Sequence, residues 1–595
     1  MEKRIIILGL FIAVNCLFTS CQNDGDFLDT EAESSLDESV IFSNPDLAKG
    51  AIDGILEPMG QTDSYRGRFI PYYGFNTDTE YNYSSSSTSS RSGLFHYDAT
   101  PTNSDMNRDR NVWAMMYQGI ERANICIRGL RTYGNPEPGS DLGQLLGEAL
   151  TLRAVYYADL VKTWGDVPAR FEPITSETIY LPKSNRDIIY KQILSDLGDA
   201  TDLVAWPNES AYTSSVERIN KAFVKSLRAR IAMVAAGFQQ YPDGVRRSND
   251  PELSVQDMYT LALNEAEDVI ASGKAHLNPS FEGFWRSYNQ EKLTAGVESL
   301  WEIPFAAGRG RVLFSFAVRH RGADQHTEQP RGGSAGPLAT VFYDYDKDDT
   351  RRDVTCVPYE YGNPIDGFAQ QELTNIDSWY FGKYRYEWMD RIVTSTNDDG
   401  VNKIYMRYAE VLLIAAEASN ELKGPTAAAP YLKEIRMRAF PSAVHAEKVD
   451  NYVSNLTSKS GMLDAIIKEN KFEFTGEMER KQQLIRWNLL GENLAEAKEK
   501  MTNLSNRTGE YADVPTTLYY KYQEDGETLD IYGLERGEDQ NPGPEYSAKS
   551  WDVIEEADID FIFKPGLDPD NRQLWPIWQV FIDGSNGLLV NDYGY

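Results

Sequence analysis

Apolar residues recur at three- and four-residue spacing in segment after segment of this chain, and that period predicts amphipathic helices. Between Asp141 and Lys162, the residues Leu142, Leu145, Leu146, Ala149, Leu152, Tyr156 and Leu160 fall on one face, and Gly165 follows as a stop. Ser184 or Asn185 can cap the next helix, where Ile188, Ile189, Ile193, Leu197 and Ala200 share a face. Arg218 to Phe238 and Val255 to Ala271 continue the series. Tyr405 to Leu422 follows, broken by Gly424-Pro425, and then come Ala427 to Arg438 and Met462 to Phe474.

The helices come in pairs, with small residues where they would cross, as helical-repeat solenoids require. No repeat of fixed period runs through them, so a tetratricopeptide-like array here is a degenerate one. Between the helices lie Phe69 to Asp109, Asn278 to Asp353 and Ser505 to Asp570, all rich in Gly, Ser, Tyr, Trp, Asp and Asn. Loops of that length usually carry function. Strands are expected inside them at Ser299 to Pro304, and after them at Leu574 to Ile582. The expected fold is mainly α, a tetratricopeptide-like helical-pair scaffold with long aromatic-rich loops and a few short strands. Its organisation reads as an N-terminal helical region, 41–275, and a C-terminal region, 276–595, forming one compact body.

Composition narrows the classes. The 595 residues include 59 Lys plus Arg, 90 Asp plus Glu and four cysteines, for a formal charge of −31. Such a chain is too long and too Cys-poor for a disulfide scaffold, and 41% apolar residues can bury a large core. The acidic balance would repel a phosphate backbone, which argues against a nucleic-acid partner. Cys126 and Cys356, about 230 residues apart, are expected as two isolated buried thiols.

The N-terminus reads as an address. Lys3 and Arg4 precede the apolar run Ile5 to Val14, and Thr19 and Ser20 stand just before Cys21. The run is too short to span a membrane. It is the pattern of a bacterial lipoprotein signal, residues 1–20, with Cys21 as the lipidated first residue of the mature chain and 21–40 as a tether. A departure is Phe18 where the usual pattern has Leu; a simple secretory signal cleaved nearby is the other reading.

Several ordered segments resemble the SusD/RagB family of outer-membrane lipoproteins from Bacteroidota. They are Phe27-Leu28-Asp29-Thr30, Val112-Trp113-Ala114 with Tyr117-Gln118-Gly119-Ile120, and Leu152 to Leu160 leading into Trp164-Gly165-Asp166-Val167-Pro168. Tyr405 to Leu413, Leu574-Trp575-Pro576-Ile577 and the tail Asn591 to Tyr595 complete the set. Departures fall at Lys468 to Phe474, at Gln482 to Trp487 and at Asp592-Tyr593. The resemblance implies a surface lipoprotein that captures a nutrient and sits as a lid on a SusC-like TonB-dependent transporter. The expected ligand is an oligosaccharide, with an oligopeptide as the alternative and no cofactor.

A neutral glycan needs flat aromatic platforms and planar polar groups at its rim. Tyr81 and Tyr83, like Phe95 and Tyr97, are two apart and would project to one side of an extended segment, with Asp78 and Asn82 beside them. Trp285, Arg286 and Tyr288 form a second candidate stretch. Arg309, Arg311, Arg319, Arg321 and Arg331 cluster with His320 and His326 in a Gly-rich loop, where they could read carboxylate or sulfate groups; a solvated or transporter-facing surface is the bland alternative. Trp113, Trp164, Trp301 and Trp487 are expected to pack in the core, and Trp379-Tyr380 is a weaker aromatic pair.

Signals for catalysis do not hold together. Gly332-Gly333-Ser334-Ala335-Gly336 fits G-x-S-x-G but lacks the strand and helix that a nucleophile elbow needs. Asp344, Asp346 and Asp348 start like a calcium loop, but Asp349 and Thr355 occupy the essential Gly and Glu positions. The five histidines form no metal-binding motif. A glycosidase carboxylate pair remains the enzyme alternative, and a scaffold that binds only protein is a third class.

Overall fold

Side-chain caps start the long helices where the sequence places Asn or Ser. In the computed structural model, which describes residues 37–82, 89–306, 308–552 and 554–595, Asn111, Ser140, Asn185, Asn220, Ser254 and Ser458 each accept a backbone N–H from the following turn. Each cap satisfies one of the donors that a helix start leaves unpaired. The signal sequence, Cys21, most of the tether and Tyr83 lie outside the described residues.

Eight of the described helices pack as four pairs. Val112–Gly129 packs on Asp141–Trp164, Arg186–Leu203 on Lys221–Ala235, Val255–Ser272 on Tyr408–Lys423, and Pro425–Ala439 on Lys459–Phe474. Successive pairs also touch, because Asp141–Trp164 contacts Arg186–Leu203 and Lys221–Ala235 contacts Val255–Ser272. Close approach depends on small residues: a Cβ on Gly119 would lie 2.2 Å from the Tyr156 ring of the facing helix. The break at Gly424 has φ +90, and Pro425 opens the next helix at a position where the N–H it lacks would have had no intrahelical partner. The third pair takes one helix from each side of the boundary expected after residue 275.

The stretch between its two helices returns to the array through paired strands. Lys403–Arg407 runs antiparallel to Ser299–Ile303, so the helix predicted from Tyr405 begins instead at Tyr408, its first residues having given their backbone groups to the sheet. The long loops hold short elements: Phe281–Asn289 and Val312–Phe316 are helices, and Glu80–Asn82 pairs with Ala335–Pro337. Near the C-terminus, Thr517–Tyr522 is the middle strand between Leu529–Tyr532 and Ser547–Ser550. The strand expected at Leu574 to Ile582 is absent; Gln579–Asp583 is helical and the residues before it run along the helix Asp141–Trp164, where Trp164 Nε1 donates to the Pro576 carbonyl. Among the described residues no helix is long and apolar enough to cross a membrane.

One hydrophobic core runs from Phe42 to Leu589 and includes Trp113, Trp164 and Trp301 as expected, whereas Trp487 is only half-buried. Cys126 and Cys356 are free and buried. A sealed ion-pair network fastens the inserted stretch to the last helix pairs. Arg407 meets Glu298 at 2.9 Å, Glu473 at 2.5 Å and Glu477 at 2.8 Å. Arg351 meets Asp349, Glu469 and Glu473; Arg438 meets Glu298 and Glu473; Arg436 meets Glu469; Lys383 meets Glu477. Five cations face five carboxylates, so the buried charge is balanced. Glu469 and Glu473 lie on the helix Lys459–Phe474.

Candidate ligand-binding site

The expected aromatic platforms are brought together, but in the interior. Tyr81 is 1% exposed, with its ring edge-on to Phe95 at 5.9 Å and stacked on His96 at 5.8 Å. Tyr97 is buried and donates its hydroxyl hydrogen to the Asn76 carbonyl. Alternation along an extended segment separates inside from outside only where one face is open. Here Glu80–Asn82 is covered on both sides, so Tyr81 and Asn82 are equally buried. Asn82 donates to the Pro71 carbonyl, and Asp78 is clamped by Arg480 through two bonds of 2.9 and 2.8 Å. Burial alone would raise the Asp78 carboxyl, but Arg480 outweighs it and holds it at about 2.

The second stretch is corrected in the same way. Phe281–Asn289 is an amphipathic helix whose Phe281, Phe284, Trp285 and Tyr288 face the core. Trp285 is 0% exposed, edge-on to Tyr288 and Tyr384, and the Tyr288 hydroxyl donates to the Asn402 carbonyl. Arg286 lies on the opposite, solvent face, ion-paired to Glu282 and 4.4 Å from the ring centroid of the half-buried Trp388. Trp379 and Tyr380 are also buried.

The arginine loop divides. Arg331 is buried and donates to Thr327 and to the backbone of Val393 and Ser395. His320 is buried between Asp324 and Glu387. Arg319 and Arg321 both reach Glu360 and remain largely exposed. Arg309 donates to the Gly60 carbonyl at 2.6 Å. Arg311 stacks on Phe314 at 4.2 Å, and both are half-buried. Arg66 joins this group by donating to the Arg309 carbonyl and to Asp398, and Arg68 pairs with Asp63 at 3.2 Å.

Arg68, Arg309, Arg311 and Phe314 are half-buried around the buried Arg66, and on another part of the inserted stretch the exposed Arg286 stands against the half-buried ring of Trp388. The sequence reading missed Phe314 and Trp388. Tyr384-Arg385-Tyr386-Glu387-Trp388 carries the same mixture of aromatic and charged residues that drew attention to Phe284 to Tyr288, so a signal was there for Trp388. Arg66 and Arg68 lie about 240 residues from Arg309 and Arg311, and no local pattern joins them.

Other perturbed carboxylates do not open onto this face. Burial pushes Glu80 up to about 8, and Glu148 and Glu302 up to about 7, each within the interior. Glu80 and Asp78 have opposite shifts, as an acid and base pair would. Asp78, however, is committed to Arg480, and Glu80 accepts the Gly476 N–H at 2.6 Å with none of its surface open. Of the would-be calcium ligands, Asp344 is paired with Lys471 and Lys500 and Asp346 with Lys448. Among the described residues no three His, Cys, Asp or Glu side chains converge as a metal site.

Known proteins share this fold. A family model described as "SusD family" matches residues 331–595, and one described as "Starch-binding associating with outer membrane" matches residues 26–233. SusD-like protein P25 of Formosa agariphila is 24% identical over 529 residues, covering 82% of this chain and 91% of that protein. SusD-like protein P38 of the same organism is 23% identical, covering 82% and 92%. The crystal structure of a SusD homolog from Bacteroides thetaiotaomicron superposes with a TM-score of 0.71 at 20% identity, covering 96% of this chain and 99% of that one. Surface glycan-binding protein A from Bacteroides thetaiotaomicron, solved in complex with laminarihexaose, has a TM-score of 0.61 at 18% identity, covering 92% and 99%. With family models matching both ends, relatives aligning over nearly their whole length and one shared helical-pair fold, the chain belongs to the SusD/RagB family.

Proposed function

We propose that this protein binds oligosaccharides at the cell surface, without catalysis, and passes them to a SusC-like TonB-dependent transporter. The observation that carries the reading is family membership across both halves, one of them matched by a model described as starch-binding and associating with the outer membrane. A fold in common with a surface glycan-binding protein that holds laminarihexaose supports it. The inserted stretch supplies what capture needs on its open side, namely Phe314 and Trp388 as half-buried rings with guanidinium donors next to them. Binding without turnover is supported by Glu80, Glu148 and Glu302, whose raised carboxyls are sealed inside and hydrogen-bonded or ion-paired there. Lipidation at Cys21 would tether the chain to the outer membrane, with two or more acyl chains giving a stable anchor.

A glycan array probed with protein lacking residues 1–21, followed by calorimetry on the hits, tests the reading. It predicts at least one oligosaccharide class that binds and is recovered uncleaved. Binding of oligopeptides but no saccharide, or release of shortened products, would refute it. Co-purification of a TonB-dependent barrel with the full-length chain from native membranes, lost in Cys21→Ala only if anchoring is required, tests the partner.

A further inference from the structure

The cations of the open face outnumber their partners. Arg66, Arg68, Arg309 and Arg311 sit together, tied by the Arg66 bond to the Arg309 carbonyl, and among the described residues only Asp63 and Asp398 form ion pairs with them. The Arg311 side chain makes no hydrogen bond or ion pair with any described residue, and its Nε is buried without a partner. The Nε of Arg68 is buried and unpartnered as well. Shortage of acid cannot explain this in a chain of charge −31, whose interior gives every arginine of the Glu298 and Glu473 network a carboxylate. An unpaired guanidinium held half out of water carries a desolvation cost with no compensating contact. Stacking on Phe314 fixes Arg311 in that position, which lowers the ordering cost of a later contact.

Resting on the reading of this chain as an oligosaccharide-binding protein, we propose that Arg311 and Arg68, backed by Arg66 and Arg309, bind carboxylate or sulfate groups of an acidic oligosaccharide. Guanidinium forks match planar and tetrahedral oxyanions with paired N–H donors, and such charge-assisted bonds are the stronger kind. Burial, and then the neighbouring Arg66, press the Arg311 guanidinium below its usual pKa, a strain that a bound anion relieves.

The test is calorimetric titration of the protein lacking residues 1–21 with tetragalacturonate, a chondroitin sulfate tetrasaccharide, laminarihexaose and tetraglutamate. The uronate or the sulfated probe should bind, the two arms telling carboxylate from sulfate. Binding should weaken as salt rises from about 50 to about 500 mM, and Arg311→Gln should cost about tenfold or more in affinity. Arg68→Gln is the second variant. Neither should change the melting temperature by more than about 2 °C, because neither leaves a buried partner unpaired. If laminarihexaose binds and both acidic saccharides do not, the anion inference falls and oligosaccharide capture stands. If tetraglutamate alone binds, the ligand class is wrong; if no probe binds, capture itself fails.

Discussion

Two clusters of arginine in this molecule are built alike and balanced differently. Around Glu298, Glu473 and Glu477, five cations meet five carboxylates, and Arg407 and Arg351 are buried to 1% or less. Around Arg311, among the described residues, four guanidinium groups meet two carboxylates, and three of the four, Arg68, Arg309 and Arg311, are only half-buried. A sealed charge must be paired within the chain, since desolvation costs several kcal/mol per ion. A charge left unpaired at the edge of water stays available to something outside the chain. The difference teaches where architecture ends and recognition begins.

Breaking the balanced cluster should have the largest effect. Glu473→Ala takes a carboxylate from Arg351, Arg407 and Arg438 at once and leaves the sealed cluster one negative charge short, and should cost about 3–5 kcal/mol or prevent folding, read by urea denaturation. Trp285→Ala removes a fully buried ring and should cost a similar amount, about 3–5 kcal/mol. If either variant keeps wild-type stability, the distinction between sealed and open regions is wrong.

Glu80 sharpens the comparison from the other side. It is a sealed carboxylate without a cation in ion-pairing reach among the described residues, and burial raises it to about 8 from 4.5. The folded chain therefore keeps a proton that the unfolded chain loses, so its contribution to stability is full below about 4.5 and is lost as pH rises through about 8. Glu80→Gln should flatten that slope, by an amount on the order of a few kcal/mol at pH 8. Melting curves from pH 4 to about 9 check it; parallel profiles for the two proteins would show that Glu80 is ionised in the fold. At the small end, Arg311→Gln should leave stability within about 0.5 kcal/mol, and a large loss would place Arg311 with the structural cluster.

The scaffold was legible because helical periodicity and caps are local. Asn185, Ser254 and the Gly424-Pro425 break lie where the boundaries fall, and Trp113, Trp164 and Trp301 pack as their segments imply. The site was less legible for a physical reason. Aromatic density tells that a loop is held, not whether a ring's second face is open. Tyr81, Phe95, Tyr97 and Trp285 have both faces covered by residues far away in sequence, such as Phe561 and Tyr384. The guanidinium excess is likewise a tertiary property, because Arg66 and Arg68 meet Arg309 and Arg311 only in the fold. The stretch Lys468 to Phe474, on the helical scaffold, supplies Glu469 and Glu473 to the sealed network, a role that no local pattern in the sequence shows.

The central claim, that ligand meets the open face of the inserted stretch and leaves the buried aromatics untouched, is tested most directly by hydrogen exchange with and without a bound oligosaccharide. Added saccharide should slow exchange in peptides covering 64–74 and 308–321. The helices Asp141–Trp164 and Lys459–Phe474 should stay unchanged. Protection confined to other parts of the molecule, with 64–74 and 308–321 exchanging as before, would contradict the account.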